Sequence, residues 1–154
     1  MKYKLVAFWL IVFGALFAFL QMCFEYHFYY IEQSQLFLFS EAYIRNKLLL
    51  PGGFSMLVAE FLVQFFIRPY VGALVTAALL TGVGVCTAGI VKRIAPVSGF
   101  FILYVLPMLA LLFMHFDFNY RVQGTVCYLM MMALLCGYML SLIHISEPTR
   151  RTPI

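Results

Sequence analysis

Residues 25–70 read EYHFYYIEQSQLFLFSEAYIRNKLLLPGGFSMLVAEFLVQFFIRPY and hold four of the six acidic residues of the chain, interleaved with Tyr and Phe. The sequence on either side of them is dominated by apolar residues. The whole chain is 65% hydrophobic and 10% charged, whereas soluble domains carry about 25% charged residues. We therefore predict an integral membrane protein that partners the lipid bilayer. Its net charge of +4 is too small and too dispersed to indicate nucleic-acid binding.

Four apolar runs predict four membrane-spanning helices. About 20 apolar residues cross the ~30 Å hydrocarbon core as a helix. The predicted spans are residues 5–24, 70–91, 96–113 and 122–139. The fold class is thus an all-α polytopic membrane domain over residues 1–139, with a loop over residues 25–69 after the first span. In the second span Ala73, Ala77 and Thr81 recur four residues apart, which lets a neighbouring helix approach closely.

The positions of basic residues predict the orientation of the spans. Lysines and arginines favour the cytoplasmic side of membrane helices. Lys2, Lys4, Lys92 and Arg93 flank one side of the predicted spans. The amino terminus is therefore expected in the cytoplasm, and the loop over residues 25–69 and the turn over residues 115–121 are expected to face outward.

The outward loop should contain one or two amphipathic helices at the membrane interface. Ser40 is suited to cap a short helix, and the run Pro51-Gly52-Gly53 predicts a turn. Residues 54–67 then predict a helix that is too short and too polar to span. Because Glu60, Gln64 and Arg68 are four residues apart, we expect Gln64 to bridge an ion pair between the other two.

The run YYIEQSQLFLFSEAY, followed by LPGGFSMLVAEFLVQFFIRPYVGAL, resembles the N-terminal region of an uncharacterised family of large bacterial multi-pass inner-membrane proteins. The resemblance covers about residues 1–139. It implies an inner-membrane location and a chain several times longer, with a C-terminal portion that is missing here. It implies no activity.

The order of elements also resembles membrane glycosyltransferases of the GT-C type, which place acidic residues in two outward loops. Glu25 follows the first span and Asp117 lies in the second outward loop, although Glu25 stands where that class usually has Asp. The resemblance implies a transferase that takes a sugar from a lipid-linked substrate. One carboxylate would deprotonate the acceptor, and the other would bind a divalent cation on the leaving group.

Other interpretations of these residues stay open. His27 near Glu25 and His115 near Asp117 would together suit an outward Zn or Mn site. Residues of these types at helix ends beside an aromatic belt more often serve as polar caps and solvated helix ends. The chain would then be a non-enzymatic structural or assembly subunit of a membrane complex. A transporter fragment is the third class, although no Asp, Glu, Lys, Arg or His lies inside the predicted spans.

The composition changes abruptly after residue 139. Residues 140–150, LSLIHISEPTR, resemble one reading frame of the transposon-end adapter used to prepare DNA sequencing libraries, at eleven consecutive positions. The resemblance implies that residues 140–154 are foreign to the natural protein. Such segments are excluded from arguments about fold and function.

Overall fold

A computed structural model of the chain describes residues 2–94 and 101–145, and every regular element in those ranges is helical. This confirms the all-α prediction for the described part. The elements in chain order are α1 (Lys2–Ser34), α2 (Glu41–Leu48), α3 (Gly53–Val63), a 3-10 helix (Gln64–Ile67), α4 (Val71–Ile94), α5 (Phe101–Met114) and α6 (Val122–Ile145).

Among the described residues, three helices are long and apolar enough to cross a membrane: Tyr3–Ser34, Val71–Ile94 and Val122–Ser141. They coincide with three of the four predicted spans, except that Tyr70 at the start of the second predicted span lies outside α4. The remaining prediction, residues 96–113, corresponds to α5, which is apolar but has only 14 residues and contains Pro107. The 14 described residues alone are fewer than the roughly 20 that cross the hydrocarbon core. The beginning of that predicted span, residues 96–100, lies outside the described residues.

Two long helices extend past their predicted ends. The outward loop was expected from residue 25, but α1 continues to Ser34. No Gly or Pro interrupts residues 25–34, and Phe28 and Ile31 continue the buried stripe begun by Leu16 and Leu20. Helix α6 likewise passes residue 139 and ends at Ile145, because this part of the chain is still rich in Leu and Ile.

Helix α4 lies at the centre of the bundle and contacts α1, α5 and α6. The row of small residues predicted to favour close packing is indeed buried, with Ala73 and Ala77 fully inaccessible. Glycines bring α1 closest to α4. A Cβ atom on Gly84 would lie 2.6 Å from the Trp9 ring, and one on Gly72 would lie 2.6 Å from the Phe28 ring. We call this α1–α4 contact the seam.

These contacts also show which ends of the helices lie together. Trp9 near the start of α1 meets Gly84 in the second half of α4, so the two helices are antiparallel. At the far end of α4, Arg93 Nη1 donates to the Cys136 carbonyl oxygen at 3.2 Å. The end of α1, the start of α4 and the start of α6 therefore lie at the opposite end from Lys92 and Arg93.

Helix α2, α3 and the 3-10 helix form a second unit, which we call the short-helix layer. Ser40 caps α2 as predicted, with its Oγ accepting from the Tyr43 amide at 3.2 Å. The predicted turn is also present, with Gly52 in the left-handed region at a φ of +72°. A Cβ on Gly53 would lie 1.9 Å from the Lys47 carbonyl oxygen, so the turn requires glycine there. The layer packs on α6, α1 and α4.

Candidate functional site

The strongest polar interaction in the short-helix layer joins α2 to α3. Tyr43 and Lys47 are four residues apart, so they lie on one face of α2. Lys47 Nζ lies 2.6 Å from Glu60 Oε1, and the Tyr43 hydroxyl donates to Glu60 Oε2. Glu60 is only 9% exposed. Both oxygens of this buried carboxylate are therefore engaged by α2, which fixes α2 against α3.

The surroundings of this cluster keep its tyrosine protonated. Burial, together with the hydrogen bond to Glu60 and the charge of Glu60, raises the pKa of Tyr43 to about 12. The phenol is consequently a hydrogen-bond donor throughout the physiological pH range. Lys47 Nζ also approaches Met56 Sδ at 3.3 Å, so its ammonium group is held between α2 and α3.

The prediction of an ion pair between Glu60 and Arg68 was wrong. Glu60 pairs with Lys47, and Gln64 Nε2 donates to the Phe37 carbonyl oxygen at 2.9 Å. The reason is a change of helical geometry, because α3 ends at Val63 and the chain tightens into the 3-10 helix. Arg68 then follows in an extended conformation and is exposed, so the four-residue spacing no longer places it beside Glu60.

A polar cavity of about 280 Å³ opens beside this cluster. It lies between the end of α1, the short-helix layer and the start of α6. Its walls include Gln35, Tyr43, Lys47, Glu60, Arg121 and Gln123. Two cationic side chains and one carboxylate thus meet at a single cavity, which we call the polar cavity.

A second polar cluster, here called the histidine cluster, lies where the turn after α5 packs on α6. His115 Nε2 is 2.9 Å from Thr125 Oγ1, and the Tyr120 hydroxyl is 3.1 Å from the same oxygen. His115 is 2% exposed. Burial, and secondarily the charge of His27, lowers the pKa of His115 to about 4. This imidazole is therefore neutral at physiological pH.

The predicted catalytic residues lie at the same end of the bundle but differ in surroundings. Asp117 is exposed, and its Oδ1 accepts from the Asn119 amide at 2.8 Å. His27 is buried, its ring lies 4.9 Å from the Phe118 ring, and Asp117 is close enough for its charge to act on it. Side chains two residues apart on a helix point about 200° apart, so exposed Glu25 points away from His27. The side chain of His27, rather than that of Glu25, therefore faces the turn that contains Asp117.

The two histidines predicted as metal ligands lie close enough for the charge of His27 to act on His115. Both ring nitrogens of His27 are without a hydrogen-bond partner in the described part of the chain, whereas His115 is engaged by Thr125. Among residues 2–94 and 101–145, no group of three or more His, Cys, Asp or Glu side chains could hold a metal ion. A metal role for His27 and His115 stays a prediction.

Sequence reasoning missed the residues that form the polar cavity. The usable signal was the spacing of Tyr43 and Lys47 on one face of a capped helix, followed by the Pro-Gly-Gly turn and Glu60. A sharp turn between two short helices folds them together, so opposite charges on facing sides should meet. No comparable signal marks Arg121 and Gln123, because their approach depends on how α6 packs against α3.

Comparison with known protein families identifies the chain. A family model described as "Family of unknown function (DUF6057)" matches residues 1–146. The chain belongs to this family. The DUF6057 match continues past residue 139, so it includes residues 140–146 at the start of the segment that resembles an adapter. No curated protein and no solved structure matches the chain.

Proposed function

We propose that this DUF6057 chain forms a multi-pass domain of a bacterial inner-membrane protein. In the part of the chain that the structure describes, three helices have the length and apolar character needed to cross a bilayer. Lys92 and Arg93 lie at one end of the bundle, and the short-helix layer with both polar clusters lies at the other. The positive-inside rule then favours a cytoplasmic amino terminus and an outward short-helix layer.

We propose that the outward end of the bundle transfers a sugar from a lipid-linked substrate. The observation that supports it most directly is the approach of His27 on α1 to Asp117 in the second outward turn. Two segments that resemble the acidic loops of GT-C enzymes thus contact each other. An exposed carboxylate next to a buried imidazole suits proton transfer from an acceptor hydroxyl.

Aromatic rings surround this candidate site and suit the proposed substrate. The Phe24 and Phe116 rings stack at 5.2 Å and 13°, and Phe118 lies against both His27 and Tyr30. Exposed aromatic faces at a membrane interface are able to pack on a sugar ring or on an isoprenoid chain.

The test compares Asp117→Asn with Glu25→Gln in membranes from cells that express the protein. The measured quantity is transfer of radiolabelled glucose from polyprenyl-phosphate glucose to an endogenous acceptor. Loss of a general base typically lowers a rate by about 10²–10⁴-fold, and we expect a loss in that range for Asp117→Asn. An equal loss of sugar transfer in Glu25→Gln would support the catalytic pair of Glu25 and Asp117 predicted from the sequence. Unchanged transfer in both variants would contradict the transferase proposal.

A second candidate function is a structural role in a membrane assembly. The short-helix layer exposes several large apolar side chains, including those of Leu49, Phe54, Phe61, Phe65 and Ile67. An apolar surface of this kind fits either the membrane interface or a neighbouring subunit. Co-purification of a defined partner with the wild-type protein, and its loss after Phe61→Ser, would favour this role over catalysis.

A further inference from the structure

We propose that the polar cavity binds the phosphate of a phosphate-bearing ligand, with Arg121 as its main contact. This binding does not depend on transferase chemistry, and it concerns residues other than those of the candidate transfer site.

The charges around the cavity favour an anion. Lys47 and Arg121 face it with Glu60 as the single carboxylate among its lining residues. Both oxygens of Glu60 are already engaged by Lys47 and Tyr43. The Arg121 guanidinium is exposed and makes no hydrogen bond or ion pair with residues 2–94 or 101–145. Of the two cations that line the cavity, Arg121 is therefore the one whose charge lacks a partner among the described residues.

The shapes and donors of the cavity suit phosphate in particular. A guanidinium group presents paired N–H donors that match two oxygens of a phosphate. Gln35 and Gln123 also line the cavity, and each glutamine side chain carries an amide group with two N–H donors. Helix α6 starts beside Arg121 and has no acidic residue in its first turn, so no carboxylate there competes with a bound anion.

The size of the cavity limits what it holds. Its volume of about 280 Å³ lies just below the range of roughly 300–1,000 Å³ typical of small-molecule sites. The cavity is thus large enough for a phosphate group with a small substituent and too small for an entire glycolipid. It adjoins Ser34 at the end of α1, where that long apolar helix ends. A phosphate bound beside the end of this apolar helix would come either from a lipid headgroup or from a soluble ion.

The experiment measures phosphate binding to the purified full chain in a maltoside detergent, which contains no phosphate. One arm is equilibrium dialysis against radiolabelled inorganic phosphate. The other is native mass spectrometry after addition of phosphatidic acid, with diacylglycerol as the lipid that lacks phosphate. The test variant is Arg121→Gln, and the matched control is Arg45→Gln, because Arg45 is an exposed arginine on α2 that does not line the cavity.

We expect wild type and Arg45→Gln to bind equally and Arg121→Gln to bind at least ~10-fold more weakly, as loss of a charge-assisted hydrogen bond implies. Binding in the dialysis arm would identify a soluble phosphate, and binding of phosphatidic acid alone would identify a lipid headgroup. Absence of binding in both arms would overturn the proposal. Equal binding by Arg121→Gln and wild type would overturn it as well.

Discussion

The seam between α1 and α4 and the contact between α2 and α3 hold helices together by different means. At the seam, glycines on α4 admit the rings of Trp9 and Phe28. Between α2 and α3, Glu60 accepts from Lys47 and Tyr43. Stability at the seam should therefore depend on side-chain volume. Stability of the short-helix layer should depend on charge and hydrogen bonding.

The largest expected effect is at the seam. Gly84→Leu places atoms where the Trp9 ring lies, and overpacking of this kind costs about 3 kcal/mol of unfolding free energy. Gly14→Leu is the matched control, because a Cβ at Gly14 would meet nothing within 4 Å. Thermal unfolding in detergent, followed by circular dichroism, measures both variants. Equal melting temperatures for the two would show that volume at the seam does not determine stability.

The histidine cluster should make stability fall in mild acid. The pKa of His115 is about 4 in the folded protein and about 6.5 when unfolded, so the unfolded state binds more protons between these values. Neutral His115 therefore contributes fully to the free energy of unfolding above pH 6.5. This contribution is lost as the pH falls toward 4, and the loss is about 2 kcal/mol at pH 5.

Denaturation of the purified protein at pH 7.5 and pH 5 tests this expectation. His115→Gln keeps a group that is able to bond to Thr125 but does not titrate. A smaller loss of stability in this variant than in wild type is the expected result. The same loss in both would assign the acid sensitivity to other groups.

A smaller effect is expected in the short-helix layer. Lys47→Met leaves the Glu60 carboxylate without its cation, and we expect a loss of about 1.5 kcal/mol. This is less than for a fully buried pair, because the Lys47 side chain is 24% exposed. Arg45→Met on the same helix should change stability by less than ~0.5 kcal/mol. The double variant Lys47→Met with Glu60→Gln should recover part of the loss, and a strictly additive result would argue against the pair.

The smallest loss of stability is expected after substitution of Tyr43, which belongs to the same cluster. Tyr43→Phe removes one hydrogen bond to Glu60 and should cost about 1 kcal/mol. Tyr26→Phe is the control, since Tyr26 is 88% exposed and its substitution should be neutral. If Tyr43→Phe were also neutral, Lys47 alone would account for the cohesion of α2 with α3.

The fold followed from sequence further than the site did. Apolar runs and the spacing of small residues are patterns within a single helix, so they can be recognised in the sequence. They predicted the long helices and the buried face of α4. Helix boundaries were less accurate, because tertiary contacts of Phe28 and Ile31 prolong α1. The polar cavity unites residues as distant in sequence as Gln35 and Arg121. Its existence depends on packing between helices, which no single-helix pattern specifies.

Cysteine labelling in intact cells distinguishes the proposed membrane topology from the inverted one. Single cysteines are introduced at Gln33, exposed near the end of α1, and at Lys92, exposed near the end of α4, after the four native cysteines are replaced by serine. Intact cells are then treated with a membrane-impermeant maleimide. We predict that the cysteine at position 33 is labelled and that the one at position 92 is labelled only after lysis. Labelling of position 92 in intact cells, with protection of position 33, would contradict the account.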